Sequence, residues 1–270
     1  MSSWLLSTLS SSASSCCFVK PPPRKAASCC TTPPACFHRH HHHQEAEAAT
    51  ISNTSTRSLT NILNSGVIAC LRTQRGDVAL EAARAAISAG ISVLEIVVST
   101  PGVFQVLNQL VQDYPTITLG VGTVLTTEDA ENAKIAGAKF IMSPAFVKGI
   151  LDQVSDELLY IPGVMTPSEI LSSYNAGAKI VKVYPVSAIG GVQYIATMKK
   201  PFPHIPIVAS QGITIDSLGE YIAHGASSVV LSDAIFDKEA IAQRNFNSVY
   251  RLAQLAVLQA NKAVERKRKS

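Results

Sequence analysis

The chain has 270 residues, 23 Lys and Arg against 19 Asp and Glu, 47% hydrophobic residues and six cysteines. That apolar fraction excludes a wholly disordered chain, and the length suits one large α/β barrel or two small domains. No run reaches the roughly 18 consecutive apolar residues of a membrane helix, so a soluble protein without a membrane partner is expected.

The net charge of +4 is concentrated at the two ends. Residues 1–50 hold four basic and two acidic residues, and residues 262–270 hold five basic and one acidic, which leaves 14 basic against 16 acidic between them. The body therefore shows no basic face for nucleic acid, and none is expected as a partner. The run from Lys262 to Lys269 reads as a frayed, solvated helix end, a basic tail over residues 261–270.

Residues 1–50 read as an address. No acidic residue occurs before Gln44, hydroxylated residues are dense (Ser10, Ser11, Ser12, Thr31, Thr32), and prolines cluster twice. Hydroxylated, basic, acid-poor segments of this kind are organelle transit peptides. Trp4 to Leu9 is too short for the apolar centre of a secretory signal. Abundant Ser and sparse Arg point to a chloroplast, with a mitochondrion as the lesser alternative. A disordered presequence over 1–50 is thus expected ahead of one domain over 51–260. Five of the six cysteines (Cys16, Cys17, Cys29, Cys30, Cys36) fall in this segment, in adjacent pairs that do not match zinc-finger spacing. The body keeps only Cys70, so no internal disulfide is expected.

From Ser58 onward, short apolar runs alternate with amphipathic stretches. The runs are Val67–Leu71, Val93–Val98, Thr118–Val124, Phe140–Met142, Tyr160–Val164, Ile180–Tyr184, Ile205–Ala209 and Ser228–Leu231. They are apolar on both faces, as buried parallel strands are. Helical segments such as Val78–Ala89, Ala130–Ala136 and Ile215–His224 lie between them. Eight strand–helix pairs in about 200 residues predict an α/β fold of the (β/α)8 TIM barrel type, with an extra helix ahead of the first strand. An open doubly wound sheet is disfavoured because no Gly-x-Gly-x-x-Gly follows the first run. Gly90, Gly137, Gly177 and Gly225 each precede a strand and are placed to end helices in the left-handed conformation. Thr126 and Thr166, each followed by acidic residues, are placed to start helices.

Active sites of such barrels sit at the C-terminal ends of the strands, where polar residues inside the apolar runs become informative. Lys182 interrupts Ile180-Val181-Lys182-Val183-Tyr184 and shares a face with Ile180 and Tyr184. Burial lowers a lysine pKa, and an unprotonated amine can form an imine with a ketone. Pairing with a carboxylate, or snorkelling to the rim, is the structural alternative. Glu95 interrupts the second run in the same way, and the two charges fit either an ion pair or a nucleophile with a proton shuttle. Arg72 ends the first run and is able to fork onto a carboxylate. Thr123 closes Gly120-Val121-Gly122-Thr123, either a substrate-binding turn or a plain tight turn. His204 and His224 are the only histidines of the body, with no clustered ligands, so neither a metal nor another cofactor is expected.

Taken together, these segments resemble the 2-keto-3-deoxy-6-phosphogluconate / 4-hydroxy-2-oxoglutarate aldolase family. The resemblance is carried by Val67-Ile68-Ala69-Cys70-Leu71-Arg72, Leu94-Glu95-Ile96, Gly120-Val121-Gly122-Thr123-Val124, Ser143-Pro144, Ile161 to Pro167 and Lys182-Val183-Tyr184-Pro185, over about Leu59 to Ala260. It implies a class I aldolase that releases pyruvate from a small 2-oxo acid. Lys182 would be the imine-forming lysine and Glu95 the general acid/base. Arg72, Thr123, Pro144, Tyr184, Gly212 and Ser232 would line the substrate pocket, and the assembly would be a homotrimer. Oxaloacetate decarboxylation in the same site, or a barrel that binds a metabolite without catalysis, are the alternatives. Two departures accompany the resemblance. Ser99 stands where some members carry a carboxylate-binding Arg, a role Arg72 is positioned to take. Gln211 and Asp233 stand in the segments that would cradle a phosphate, which implies poor handling of phosphorylated substrates.

Overall fold

The computed structural model describes residues 54–154 and 158–269; the expected presequence lies outside these residues. Nine strand segments form a single all-parallel ring: β1 (Val67–Leu71), β2 (Val93–Val97), β3 (Thr118–Gly122), β4 (Phe140–Met142), β5 (Leu159–Ile161), β6 (Gly163–Val164), β7 (Val181–Val183), β8 (Ile207–Ser210) and β9 (Ser228–Leu231). Helix α1 (54–65) precedes β1. Helices α2 (Gly76–Ser88), α3 (Val103–Asp113), α4 (Thr127–Ile135), α5 (Lys148–Val154), α6 (Pro167–Asn175), α7 (Gly191–Lys199) and α8 (Leu218–Ala223) alternate with the strands. After β9 come α9 (Lys238–Ala242) and α10 (Phe246–Lys269).

The fifth predicted run is cut into β5 and β6 at Pro162, which has no N–H to give to the ladder. Its carbonyl still accepts from the Lys182 N–H at 2.8 Å. Because β5 pairs with β4 and β6 with β7, the ring closes through this proline. Eight sequence runs thus become nine segments of one (β/α)8 barrel.

The period of two divides each run between two cores. Ile68, Val93, Phe140, Met142, Ile161, Ile180 and Val208 fill the barrel interior, while Ala69, Leu94, Ile96, Val181, Val183 and Ala209 face the helices. Helix α1 stoppers the N-terminal end of the barrel, as the extra helix. Its Ile62 is fully buried against the interior cluster, and Asn61 Nδ2 donates to Thr118 Oγ1 at 2.8 Å.

The punctuation behaves as read. Gly90, Gly137, Gly177 and Gly225 all have φ between 92° and 113°. Thr126 caps α4 by accepting from the Asp129 N–H, and Thr166 forms a reciprocal box with Glu169 at the start of α6. Most element ends lie within three residues of the expected ones, and three differences have a visible cause. β8 starts at Ile207 rather than Ile205, because Pro206 intervenes. α8 starts at Leu218 rather than Ile215, because Thr214 and Ser217 exchange side-chain-to-backbone hydrogen bonds in a turn of their own. The basic run is not frayed. Residues 262–269 belong to α10, with Ala263 and Val264 buried, Lys267 Nζ donating to the Ala226 carbonyl at 2.8 Å and Arg268 Nη2 to Asn64 Oδ1 at 2.6 Å.

Candidate active site

Lys182 lies in the middle of β7, between two valines that face the helix layer, so its own side chain is turned into the barrel. Glu95 occupies the equivalent position in β2, between Leu94 and Ile96. Both are nearly inaccessible, at 6% and 3% exposure. Burial pulls the Lys182 pKa below its ordinary value, against the opposing pull of the Glu95 charge. Burial likewise pushes the Glu95 carboxyl up, opposed by the Lys182 charge, by the neighbouring Cys70 thiol and by the charge of Arg72. The barrel therefore holds an amine biased toward its free base and a carboxyl biased toward its acid, which is a combination suited to addition and proton transfer.

Around this pair the remaining predicted residues take different places. The Tyr184 ring lies 5.5 Å from Lys182 Nζ and is itself 38% exposed, so it separates the amine from solvent at the barrel mouth. Arg72 is exposed at the end of β1, near enough for its charge to act on Glu95. Thr123, Pro144, Gly212 and Ser232 sit on the loops that follow β3, β4, β8 and β9, on the same end of the barrel. Thr123 has a φ of 62°, a conformation rare for a β-branched residue and found where surrounding structure imposes it. The Ser143 hydroxyl is occupied by Tyr160 Oη at 2.6 Å and by the Ala145 carbonyl, so it fastens the β4–α5 loop.

The segments expected to cradle a phosphate are closed in an unusual way. Gln211 has a φ of 86°, and its Oε1 accepts a hydrogen bond from Ser187 Oγ in the 3₁₀ turn Val186–Ile189. Gly212 leaves no room for a side chain, since a Cβ there would lie 2.5 Å from the Ser187 Cβ. The Asp233 carboxylate lies on the rim 3.2 Å from Lys238 Nζ, both well exposed. Ser99 is exposed beyond the end of β2.

Two residues matter more than their sequence signals suggested. Gly122, read as a permissive turn residue, is where the Glu95 carboxylate rests: an added Cβ would lie 2.4 Å from Glu95 Oε2. Cys70, counted only as the lone cysteine of the body, interacts with Glu95 and Ser232. The signal for Cys70 was its alternation with Ile68 on β1, which turns it inward. Glu95 Oε2 is buried and has no hydrogen-bond partner. Among the described residues no group of three His, Cys, Asp or Glu is arranged to hold a metal ion, and no helix is long and apolar enough to cross a membrane. His204 instead packs edge-on against Tyr174.

Comparison with known proteins agrees with this geometry. Residues 59–252 match the family described as KDPG and KHG aldolase. The 2-dehydro-3-deoxy-phosphogluconate aldolase of Treponema pallidum is 30% identical over 189 residues, covering 70% of this chain and 90% of that protein. The KHG/KDPG aldolase of Escherichia coli K12 is 25% identical over 202 residues, covering 74% of this chain and 95% of its own. The crystal structure of the KDPG aldolase of Legionella pneumophila, with pyruvate captured at low pH as a covalent carbinolamine, superposes with a TM-score of 0.67 at 28% identity, over 72% of this chain and 94% of that one. The chain belongs to the KDPG and KHG aldolase family and is a carbon–carbon lyase.

Proposed function

We propose that the chain cleaves short 4-hydroxy-2-oxo acids, such as 4-hydroxy-2-oxoglutarate or 2-keto-3-deoxy-6-phosphogluconate, to pyruvate and an aldehyde through an imine on Lys182. The observation that carries this reading is the buried Lys182 amine and the buried Glu95 carboxyl inside the barrel, each near enough for its charge to act on the other. Lys182 Nζ adds to the C2 ketone, and the carbinolamine loses water to give an imine. The carbinolamine held in the Legionella relative is the addition product of this kind. Glu95, through an intervening water, takes the proton of the C4 hydroxyl. The C3–C4 bond then breaks, its electrons pass into the imine, and the aldehyde leaves behind an enamine. Protonation at C3 and hydrolysis return pyruvate and the free amine. Arg72 receives the substrate carboxylate, since the neutral Ser99 offers no charge for it. The Gln211–Ser187 closure and the Asp233 carboxylate favour substrates without a phosphate.

The test is pyruvate release by the full chain from 4-hydroxy-2-oxoglutarate, 2-keto-3-deoxy-6-phosphogluconate and oxaloacetate, with Lys182→Ala as control. Faster release from the unphosphorylated hydroxy acid, lost in the variant, is expected, and borohydride with pyruvate should mark Lys182. Oxaloacetate tests decarboxylation, because the same imine accepts the electrons released with carbon dioxide. No lysine modification with any 2-oxo acid would refute the imine.

The organisation of the whole protein follows the same reading. The chain acts as a homotrimer, and residues 1–50 direct it to a plastid. Uptake of a fluorescent protein carrying residues 1–50 by isolated chloroplasts, against mitochondria, decides the address.

A further inference from the structure

We propose that Cys70 is a positioning residue for the reaction: its thiol, level with Glu95 on the neighbouring strand inside the barrel, donates a hydrogen bond to the Glu95 carboxylate and holds it for proton transfer. The proposal rests on the acid/base role given to Glu95 above.

The placement comes from register. Cys70 and Glu95 are directly paired across β1 and β2. On the other side, Ala69 pairs with Leu231, so one step further along Cys70 stands level with Ser232 at the end of β9. Ser232, Cys70 and Glu95 therefore form one row across three adjacent strands, and the thiol interacts with both neighbours. Cys70 also packs against the interior cluster, on the side of the strand that carries Ile68.

Glu95 is otherwise loosely held. Its Oε2 has no partner, and the floor beneath it is Gly122, which offers no side chain. The Cys70 thiol is the neutral donor that stands level with it on the neighbouring strand, while Arg72 and Lys182 act through charge. An aliphatic residue at this position would leave a buried carboxylate without that donor, an arrangement that costs free energy. Burial and the Glu95 charge hold the thiol pKa well above its ordinary value. Cys70 consequently stays protonated at neutral pH, a donor rather than a nucleophile. Its hydrogen bond favours the ionised carboxylate, which is the form that accepts the C4 hydroxyl proton.

The experiment uses the full chain with Cys70→Ala, Cys70→Val and Cys70→Ser, and reads the pH profile of kcat/KM for pyruvate release. The acid limb, which reports Glu95 ionisation, should move up by about one pH unit in the Ala and Val variants and return toward the wild type in the Ser variant, which keeps a donor. Borohydride trapping with pyruvate at high pH should remain in all three, because Lys182 is untouched. A uniform fall in rate without movement of the limb, or a Val profile that matches the wild type, would overturn the proposal. Failure of the wild type to trap pyruvate would instead overturn the imine reading on which it stands.

Discussion

At Glu95 the site depends on what its neighbours lack as much as on what they carry. Gly122 has no side chain where the carboxylate lies, and a methyl group there would meet Glu95 Oε2 at 2.4 Å. Gly122→Ala should therefore lower kcat at least 100-fold, by driving the carboxyl from its place, while the far-ultraviolet circular dichroism stays that of the wild type. An active Gly122→Ala enzyme would show that the carboxylate works from elsewhere. Lys182 and Glu95 were legible in the sequence because charges inside strand-like runs are conspicuous. Cys70 was not, since a cysteine among Ile, Ala and Leu looks like any small apolar residue. Its meaning came only from the strand register that sets it beside Glu95. The bond between the hydroxyls of Ser143 and Tyr160 was equally hidden, since the two residues are distant in sequence.

Among the elements, α6 has the clearest local cause. Thr166 accepts from the Glu169 N–H at 3.3 Å, and Glu169 Oε2 accepts from the N–H groups of Met165 and Thr166 at 2.7 and 2.8 Å. Thr166→Ala should cost about 1 kcal/mol of stability in urea unfolding. The backbone hydrogen bonds hold the Glu169 carboxyl below its usual range. A carboxyl whose pKa is depressed by folding contributes stability above its unfolded pKa and loses it as the pH falls through the folded one. The Thr166→Ala penalty, measured at pH 7, should accordingly shrink below about pH 4.5 as Glu169 protonates. An undiminished penalty at low pH would mean that the threonine acts alone. Caps of this kind are written in four consecutive residues, which is why both were readable. The cut at Pro162 was not, because it matters only once Lys182 and β4 are known to flank the same run.

At the scale of the molecule, the alternation of runs sufficed for the barrel, because eight buried strands and their helices leave few other closed arrangements. The docking of the basic run was hidden, since charge alone does not reveal that Val264 packs against Gly66 and that Lys267 and Arg268 reach back to the barrel base. Leu125, Met165 and Leu171 are 44–51% exposed near the barrel mouth and on α6, and a trimer would cover apolar surface of this kind. Sedimentation equilibrium should return three times the mass of one chain, and Leu125→Asp with Leu171→Asp should reduce it. A wild-type monomer would remove the assembly from the account. The stopper helix has one more consequence. Ser55 at its start lies by Lys179, just ahead of β7, and Arg268 near the end of α10 reaches Asn64. Both limits of the described chain thus meet on the closed base, at the opposite end of the barrel from the loops that carry Thr123, Pro144, Gly212 and Ser232. A cargo or surface tether fused directly at Thr54 or after Lys269 would hang from the base, leaving the mouth open to substrate.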